Sequence, residues 1–257
     1  MICSVRANSD TGRAGMTPPG VALLSALFML GNNLIFFVVW RIYFGKFSNL
    51  RGWRLEDLAL LIGMCAWAFG LTVVLAGGVR TMSEAIADGG LDVHLGRPRH
   101  PLPSLLMSRS LPSGLGDLAS AFVFWLVFGG RSLGDLPLLL LVATAAGIVL
   151  AATAVLIQCL AFWLPDAAGF CEDLFNLFLM VAFYPQHPFS FTVRVILFTL
   201  IPAAFVSFLP VEAIRDADPL TALATIGAAA VYGAIAVAVF QRGLRHYSSG
   251  NRVVLFR

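Results

Sequence analysis

The chain has 257 residues, of which 59% are hydrophobic and 12% are charged, and its mean hydropathy is +0.86. A soluble domain carries about a quarter charged residues, so this composition excludes water as the main solvent of the folded chain. The net charge of +3 does not require a nucleic acid partner, because basic residues of membrane proteins collect on cytoplasmic loops.

Long apolar runs indicate helices that cross a membrane. In hydrocarbon every backbone polar group has to be paired within the protein, so a spanning structure is either helical or a closed barrel. Barrel strands alternate over segments of about ten residues, and nothing between residues 136 and 163 alternates in that way. The sequence therefore predicts an all-α membrane protein.

The predicted elements begin after a polar stretch. Residues 1–19 are rich in Gly, Ser, Thr and Arg, which predicts a disordered extension ahead of one transmembrane domain, residues 20–257. The run 20–40 is long enough to cross and lacks a small-residue cleavage site, so it is predicted to be an uncleaved first span. Each further predicted span is bounded by charge, Gly or Pro, at 58–79, 115–128, 136–163, 168–184 and 220–240.

The run 191–209 decides how many times the chain crosses the membrane. It is apolar but carries Arg194 and Pro202 and ends at Pro210. A full crossing would make seven spans, whereas a re-entrant pair of half-helices would leave six. Pro202 breaks a helix near the middle of the run, and irregular backbone is tolerated at membrane depth where it lines a cavity. We therefore predict six transmembrane helices with a re-entrant helical hairpin before the last span.

Six spans put both termini on one side of the membrane. The distribution of basic residues favours the cytoplasm for that side, in a bacterial inner membrane, although the first outer loop is unexpectedly basic. The predicted cytoplasmic set is Arg6, Arg13, Arg80, Arg97, Arg99, Arg109, Arg242, Arg245, Arg252 and Arg257, and the outer set is Arg41, Lys46, Arg51, Arg54, Arg131, Arg215 and Arg194.

The longest polar connection, residues 80–111, is a candidate docking loop. In its first part Met82 and Ile86 share one helical face while Glu84 and Asp88 share another, which predicts a short amphipathic helix. The glycine pair after Asp88 would end that helix. Such a helix can dock on a soluble partner at the membrane surface. It is equally consistent with a solvated loop that lies on the lipid headgroups. Prolines predict an extended stretch afterwards, at Pro98, Pro101 and Pro103.

Residues 86–98 resemble the I-x-x-G-x-L-D-x-x-L-x-x-P stretch of a bacterial family of type-2 ABC exporter permeases. Three further features resemble the same family in the same order, and together the resemblance covers about residues 36–251. They are Trp53 with Glu56 before the second span, Tyr184-Pro185 followed by R-x-x-L-x-x-x-I-P-A-A-F-x-x-F-x-P from Arg194 to Pro210, and the ending Gly243-Leu-x-x-Tyr247-x-Ser249.

The resemblance implies a permease subunit with six spans, a cytoplasmic coupling helix between the second and third spans, and re-entrant helices in residues 185–210. It implies three kinds of partner: a separate ABC ATPase, a second permease that is identical or related, and membrane lipid. No G-x-x-x-x-G-K-[ST] loop is present, so the chain is expected to bind no cofactor, with ATP and Mg²⁺ on the ATPase. The implied ATPase-coupling residues are Asp88, Gly89, Gly90, Leu91, Asp92, Leu95, Arg97 and Pro98.

Polar residues within the predicted spans are candidates for a transport pathway or gate. An ionisable group at the bilayer centre costs about 2.5–3.5 kcal/mol on insertion scales, so it is kept for a reason or kept near the edge. Two interpretations stay open for the acidic residues of the fifth span, a helix-start turn at the interface and a pathway lining. The amides are equally interpretable as interhelical hydrogen-bond partners. The candidates are Asn32, Asn33, Glu172, Asp173, Asn176, Tyr184, Pro185, Arg194 and Pro202.

The enzyme alternative is an intramembrane aspartyl protease. Residues 114–117 read Gly-Leu-Gly-Asp, which matches a G-x-G-D signature, and Asp117 would need Asp173 as its partner to share a proton and activate water. A non-catalytic membrane scaffold is a third alternative that no motif excludes. The scattered Cys and His residues lack ligand spacing, so no metal site is predicted.

Overall fold

The computed structural model describes residues 18–46, 53–96, 98, 100–164, 166–183 and 202–247. Its α-helices are α1 (Pro19–Lys46), α2 (Leu55–Leu75), α3 (Met82–Ala87), α4 (Asp92–Leu95), α5 (Pro101–Leu106), α6 (Ser113–Val123), α7 (Leu136–Gln158), α8 (Ala168–Phe183), α9 (Ala203–Val206), α10 (Phe208–Arg215) and α11 (Pro219–Leu244). Tighter 3₁₀ turns lie at Gly77–Thr81, Leu133–Asp135 and Cys159–Phe162, and a π-helical turn extends α6 over Phe124–Phe128.

Four helical segments are long and apolar enough to cross a membrane: Pro19–Gly45, Leu55–Leu75, Leu133–Phe162 and Pro219–Leu244. They confirm the first, second, fourth and last predicted spans as apolar helices. The third is the shorter apolar helix Ser113–Phe128, and the fifth is α8 with 16 residues. Sixteen residues reach about 24 Å, against a hydrocarbon core of about 30 Å. The count of six spans therefore stays a prediction.

Several predicted boundaries are wrong. Pro19 is the first residue of α1 and not part of the polar extension, since proline is well tolerated where a helix begins. The second span ends as an α-helix at Leu75 instead of residue 79, where the chain tightens into the 3₁₀ turn Gly77–Thr81. Residues 1–17 of the predicted disordered extension lie outside the described residues.

Helices α2 and α7 form the centre of the bundle. In their most apolar windows 72% of the α2 residues and 61% of the α7 residues are buried, against 11% for α1 and 28% for α11. Helix α2 packs on α1, α6 and α7, and α7 packs on α11. Gly63 and Gly70 of α2 lie where neighbouring helices approach closely, as small residues do in membrane interfaces. The described part of the chain therefore leaves large apolar faces of the outer helices α1 and α11 uncovered.

Helices α1 and α6 run in the same direction. Ala26 lies against Gly116, Asn33 bonds to Ser120, and Phe37 packs on Phe124 with ring centroids 5.4 Å apart, so contacts rise in the same order along both helices. The start of α1 therefore lies at the end of the bundle from which α6 emerges. Residues just after α11 lie at that same end, where the Tyr247 ring packs against Phe162.

The described part of the predicted re-entrant region contains two short helices. Pro202 is buried at the start of α9, and α10 follows after a break at Ser207, whose φ and ψ are −123° and −52°. Helix α10 continues beyond the end of the apolar run, because Pro210 lies in its first turn, where the missing N–H of proline costs no hydrogen bond. Residues 184–201 lie outside the described residues, so the hairpin stays a prediction.

Candidate coupling loop and membrane groove

The loop between α2 and α6 is anchored on the bundle by helix α3. Met82 and Ile86 are buried while Glu84 and Asp88 are exposed, which confirms the predicted amphipathic helix. The Ser83 backbone N–H donates to Oε1 of Gln158 at 3.2 Å, at the end of α7. Helix α3 also packs on the turn Cys159–Phe162. The first part of the loop is thus held by the bundle itself.

The chain reverses after α3 at Gly89, whose φ is +78°. Only glycine adopts this backbone conformation without a steric cost. The reversal brings the Leu91 N–H to the Ala85 carbonyl at 3.1 Å and buries the Leu91 side chain completely. Leu91 is therefore an anchor in the core, and its role in ATPase coupling stays a prediction.

Helix α4 projects from this anchor. Val93 is 63% exposed and Leu95 is 45% exposed, two large apolar side chains on one turn of helix. Asp92, the first residue of α4, is exposed as well. A soluble partner or the membrane surface is needed to cover such a pair of apolar side chains.

The second side of the loop returns to the bundle through α5. Pro101 is the first residue of α5, so the predicted extended conformation is wrong there, since proline fits the first turn of a helix. Leu102 and Leu105 of α5 are buried. A Cβ at Gly78 would overlap the Leu105 carbonyl oxygen, so the two sides of the loop are closely packed at its base. Helix α4 is thereby held between two anchored segments.

The remaining predicted coupling residues lie around α4. Gly89 is half-buried, whereas Asp88, Gly90 and Pro98 are exposed. Arg97 lies outside the described residues.

An aromatic cluster that sequence reasoning missed joins the turn after α7 to the end of the last helix. The Tyr247 ring lies edge-on to Phe162 with centroids 6.4 Å apart, and Trp163 pairs with His246 at 6.2 Å. Burial, together with the neighbouring Asp92 carboxylate, raises the pKa of Tyr247 to about 12. Tyr247 belongs to the ending Gly243-Leu-x-x-Tyr247-x-Ser249, whose resemblance to the permease family was the signal in the sequence that this residue matters. Nothing in that ending connects Tyr247 to Asp92.

Gly243 leaves the space that this aromatic cluster occupies. A Cβ at Gly243 would overlap the Phe162 ring, which also packs on Phe240 with centroids 5.8 Å apart. The glycine of the same ending therefore lets the turn after α7 pack directly against α11.

A second polar site lies inside the bundle between α1 and α6. Nδ2 of Asn33 donates to Oδ1 of Asp117 at 2.8 Å and to Oγ of Ser120 at 2.9 Å. Oγ of Ser120 donates in turn to the Asp117 carbonyl at 2.7 Å. All three residues are buried, and Oδ2 of Asp117 has no hydrogen-bond partner among the described residues. The cluster joins α1 to α6 at membrane depth.

Close helix packing accounts for the two glycines of the G-x-G-D pattern that ends at Asp117. A Cβ at Gly114 would lie 2.9 Å from the Gly70 carbonyl oxygen of α2, and a Cβ at Gly116 would overlap the Ala26 backbone of α1. Asp173 is exposed on α8 while Asp117 faces Asn33. The acidic pair that the protease alternative requires is therefore not formed, because tertiary packing gives Asp117 an amide partner.

Asn32, the neighbour of Asn33, is exposed. It lines a groove of about 430 Å³ between α1, α2 and α8, and Asn33 reaches the same groove from its buried side. The other lining residues are apolar or aromatic: Met29, Ile35, Phe36, Val39, Ile62, Phe69, Leu179 and Phe183. The structure thus brings together two of the predicted pathway residues.

The other pathway candidates are dispersed. Glu172 and Asp173 are exposed in the second turn of α8, and Asn176 is half-buried one turn later. Pro202 is buried beside α9. Tyr184, Pro185 and Arg194 lie outside the described residues.

Two of the sequence features that resemble the permease family, the one at Trp53 and the one that ends at Pro210, also meet at the opposite end of the bundle. Trp53, before α2, is buried and packs on Phe208 of α10 with ring centroids 6.1 Å apart. The Arg54 backbone N–H donates to Oδ2 of Asp57 at 2.9 Å, which closes the start of α2. The Trp53–Phe208 contact therefore joins the start of α2 to α10.

Comparison with protein families agrees with these features. Residues 29–250 match the model of the family described as "ABC-2 family transporter protein". No curated protein and no solved structure gave a significant match. The matched region contains α2 to α11, including the loop, the groove and the Phe162–Tyr247 ring contact. The chain therefore belongs to the ABC-2 transporter family, as a multi-pass membrane permease of an ABC transporter.

Proposed function

We propose that the chain is the permease subunit of an ATP-driven exporter and is coupled to a separate ATPase through the loop between α2 and α6. The observation that carries this proposal is helix α4, which presents the exposed Val93 and Leu95 from a loop anchored on both sides. An anchored projection transmits force, whereas an exposed apolar pair on a loose loop would not.

The proposed mechanism is mechanical. ATP and Mg²⁺ are bound by the partner ATPase, and closure of its nucleotide sites moves α4 around Asp92 and Leu95. The helices then switch between two rigid packings and open the pathway outward. The permease itself performs no covalent chemistry.

The groove beside α1 is proposed as one wall of the pathway. Asn32 carries an amide that is exposed at membrane depth, and burial of an unpaired amide in hydrocarbon is unfavourable. This side of α1 is therefore expected to face water or protein rather than acyl chains. We propose that a second permease, identical or related, completes the pathway there, with lipid around the remaining apolar faces.

Placement in a bacterial inner membrane with both termini in the cytoplasm is part of the same proposal. The start of α1 and the end of α11 lie at the end of the bundle that carries the loop. An even number of crossings, with a re-entrant hairpin before α11, agrees with this arrangement.

Leu95→Glu is expected to lower recovery of the ATPase at least about tenfold in a mild-detergent pull-down from native membranes. A carboxylate forced into an apolar contact loses its hydration without gaining a partner. Leu95 is 45% exposed, so the substitution leaves the packed interior of the permease unchanged. Recovery is measured by mass spectrometry and normalised to the permease.

The matched control is Leu133→Glu, because Leu133 is 73% exposed and is the first residue of the 3₁₀ turn that precedes α7, away from the loop. It should recover as much ATPase as the unchanged chain. Equal recovery with Leu95→Glu would refute the docking role of α4. Absence of any ATPase from the unchanged chain would favour a membrane scaffold.

A further inference from the structure

The groove beside α1 carries two adjacent amides in the middle of the membrane. Asn32 is the central residue of the span Pro19–Gly45, so it lies about 20 Å from either end of the helix. Its side chain is exposed, lines the groove and makes no hydrogen bond to a described residue. An amide without a partner at that depth is costly. The groove therefore calls for an occupant that pairs with this amide.

Asn33 adds a hydrogen-bond acceptor whose orientation is fixed. The Ser120 hydroxyl donates to the Asp117 carbonyl, so its oxygen accepts from Asn33. The Asp117 carboxylate accepts the other hydrogen of the same Nδ2 group. Both hydrogens of Asn33 thus point to α6, and its Oδ1 accepts no hydrogen bond from a described residue. Asn33 is only 8% exposed and lines the groove, so this Oδ1 is a positioned acceptor there.

The rest of the groove wall is uncharged. Apart from the two amides, the described lining residues are apolar or aromatic, such as Phe69 of α2 and Phe183 of α8. None of them is ionisable, and Asp117 is not one of them. An ion placed here would lose its hydration without gaining a countercharge, whereas an apolar molecule would gain by leaving water. The volume of about 430 Å³ falls within the range of pockets that hold small organic molecules.

We propose that the groove binds the transported substrate and that this substrate is an uncharged amphipathic molecule. Its apolar body lies against the aromatic and aliphatic wall. Its hydroxyl or amide N–H donates to Oδ1 of Asn33, and the Asn32 amide donates to its oxygen. This proposal rests on the proposed function and names its substrate class. The second permease of the proposed pathway would then close over the substrate rather than fill the groove itself.

The test uses the full chain with its copurified ATPase in phosphatidylcholine nanodiscs. The probe is dodecanol that carries a photoreactive diazirine on its chain. After illumination, mass spectrometry measures how much label lies on the groove segments, residues 29–39 and 179–183. Unlabelled dodecanol, dodecyl methyl ether and dodecyltrimethylammonium are compared as competitors. The rate of ATP hydrolysis is recorded with each of the three compounds.

Dodecanol is expected to compete about tenfold more strongly than the methyl ether, which has no hydrogen to donate to Asn33. It should exceed the cation by at least the same factor, because the groove offers no countercharge. Dodecanol should also raise the rate of ATP hydrolysis, as expected for a transported molecule, whereas the ether should not.

Asn32→Leu is expected to lower labelling of the groove about tenfold, since the probe loses the amide that donates to its oxygen. Asn32 is exposed, so the substitution leaves the packed interior unchanged. Ser25→Ala is the matched control, because Ser25 lies about two turns away on the same face of α1 and is not a lining residue. Its hydroxyl donates to the Val21 carbonyl at 2.8 Å. It should label like the unchanged chain.

Three results would refute the substrate class and leave the proposed function standing, provided that the ATPase is bound. The ether or the cation could compete as strongly as dodecanol, or the label could spread over all lipid-facing helices as for bulk lipid. Groove labelling without any change in ATP hydrolysis would identify a resident lipid instead of a substrate. Failure of the unchanged chain to recover an ATPase would overturn the proposed function, and the substrate role of the groove with it.

Discussion

Alanine at Gly116 is expected to lower the free energy of unfolding of the bundle by about 3 kcal/mol. A Cβ at this position would overlap the Ala26 carbonyl group and Cα of α1. Backbone atoms cannot rotate away as the end of a side chain can, so α1 and α6 have to separate. That separation also lengthens the hydrogen bonds from Asn33 to Asp117 and Ser120, which adds to the cost.

The measurement is reversible unfolding in detergent micelles, followed by circular dichroism. Gly31→Ala is the control within the same helix pair, because a Cβ at Gly31 of α1 meets no atom within 4 Å. It should not lower stability, since alanine is the better helix former. Comparable losses for Gly116→Ala and Gly31→Ala would show that α1 does not pack on α6 as described.

Asn33→Ala is expected to cost about 2 kcal/mol of stability. It removes the donor that serves Oδ1 of Asp117 at 2.8 Å and Oγ of Ser120 at 2.9 Å. Asp117 is only 3% exposed, and its other carboxyl oxygen already lacks a partner among the described residues. The substitution therefore leaves a buried carboxyl group without its amide, a far larger loss than that of an average interhelical hydrogen bond.

The same unfolding measurement separates this effect from a general sensitivity of α1. Asn32→Ala changes the adjacent residue, which is exposed and lines the groove, and it should leave stability unchanged. If Asn32→Ala destabilised the chain as much as Asn33→Ala, the buried amide cluster would not be the reason. A loss of transport by Asn32→Ala at full stability would support the pathway proposal.

The helical class of the protein was predictable from the sequence because the reason for it is local. Apolar runs of sufficient length have to satisfy their backbone hydrogen bonds internally, and only helices do so within a single segment. The predicted runs 20–40, 136–163 and 220–240 accordingly coincide with described helices to within a few residues, apart from the longer ends of α1 and α11. The helical face of Met82 and Ile86 was predictable from the spacing of apolar residues, which is also a local property.

The sequence did not settle roles that depend on a distant partner. The G-x-G-D pattern at Gly114 to Asp117 left a protease alternative open, and its actual contacts come from Gly70, Ala26 and Asn33. Leu91 stood among the predicted coupling residues, and the reversal at Gly89 turns its side chain into the core. No local periodicity contains these facts, since they depend on which helix passes nearby.

The sequence alone determined that this chain is a helical membrane protein with an amphipathic loop, and its family-like features indicated an ABC-2 permease. Tertiary structure alone decided that Asn33 is buried while Asn32 faces a groove, and that the Tyr247 ring packs on Phe162. The physical reason is that hydrophobicity and backbone hydrogen bonding within a helix depend on residues close together in the sequence. Burial of a polar group depends instead on close packing between helices that are remote in sequence.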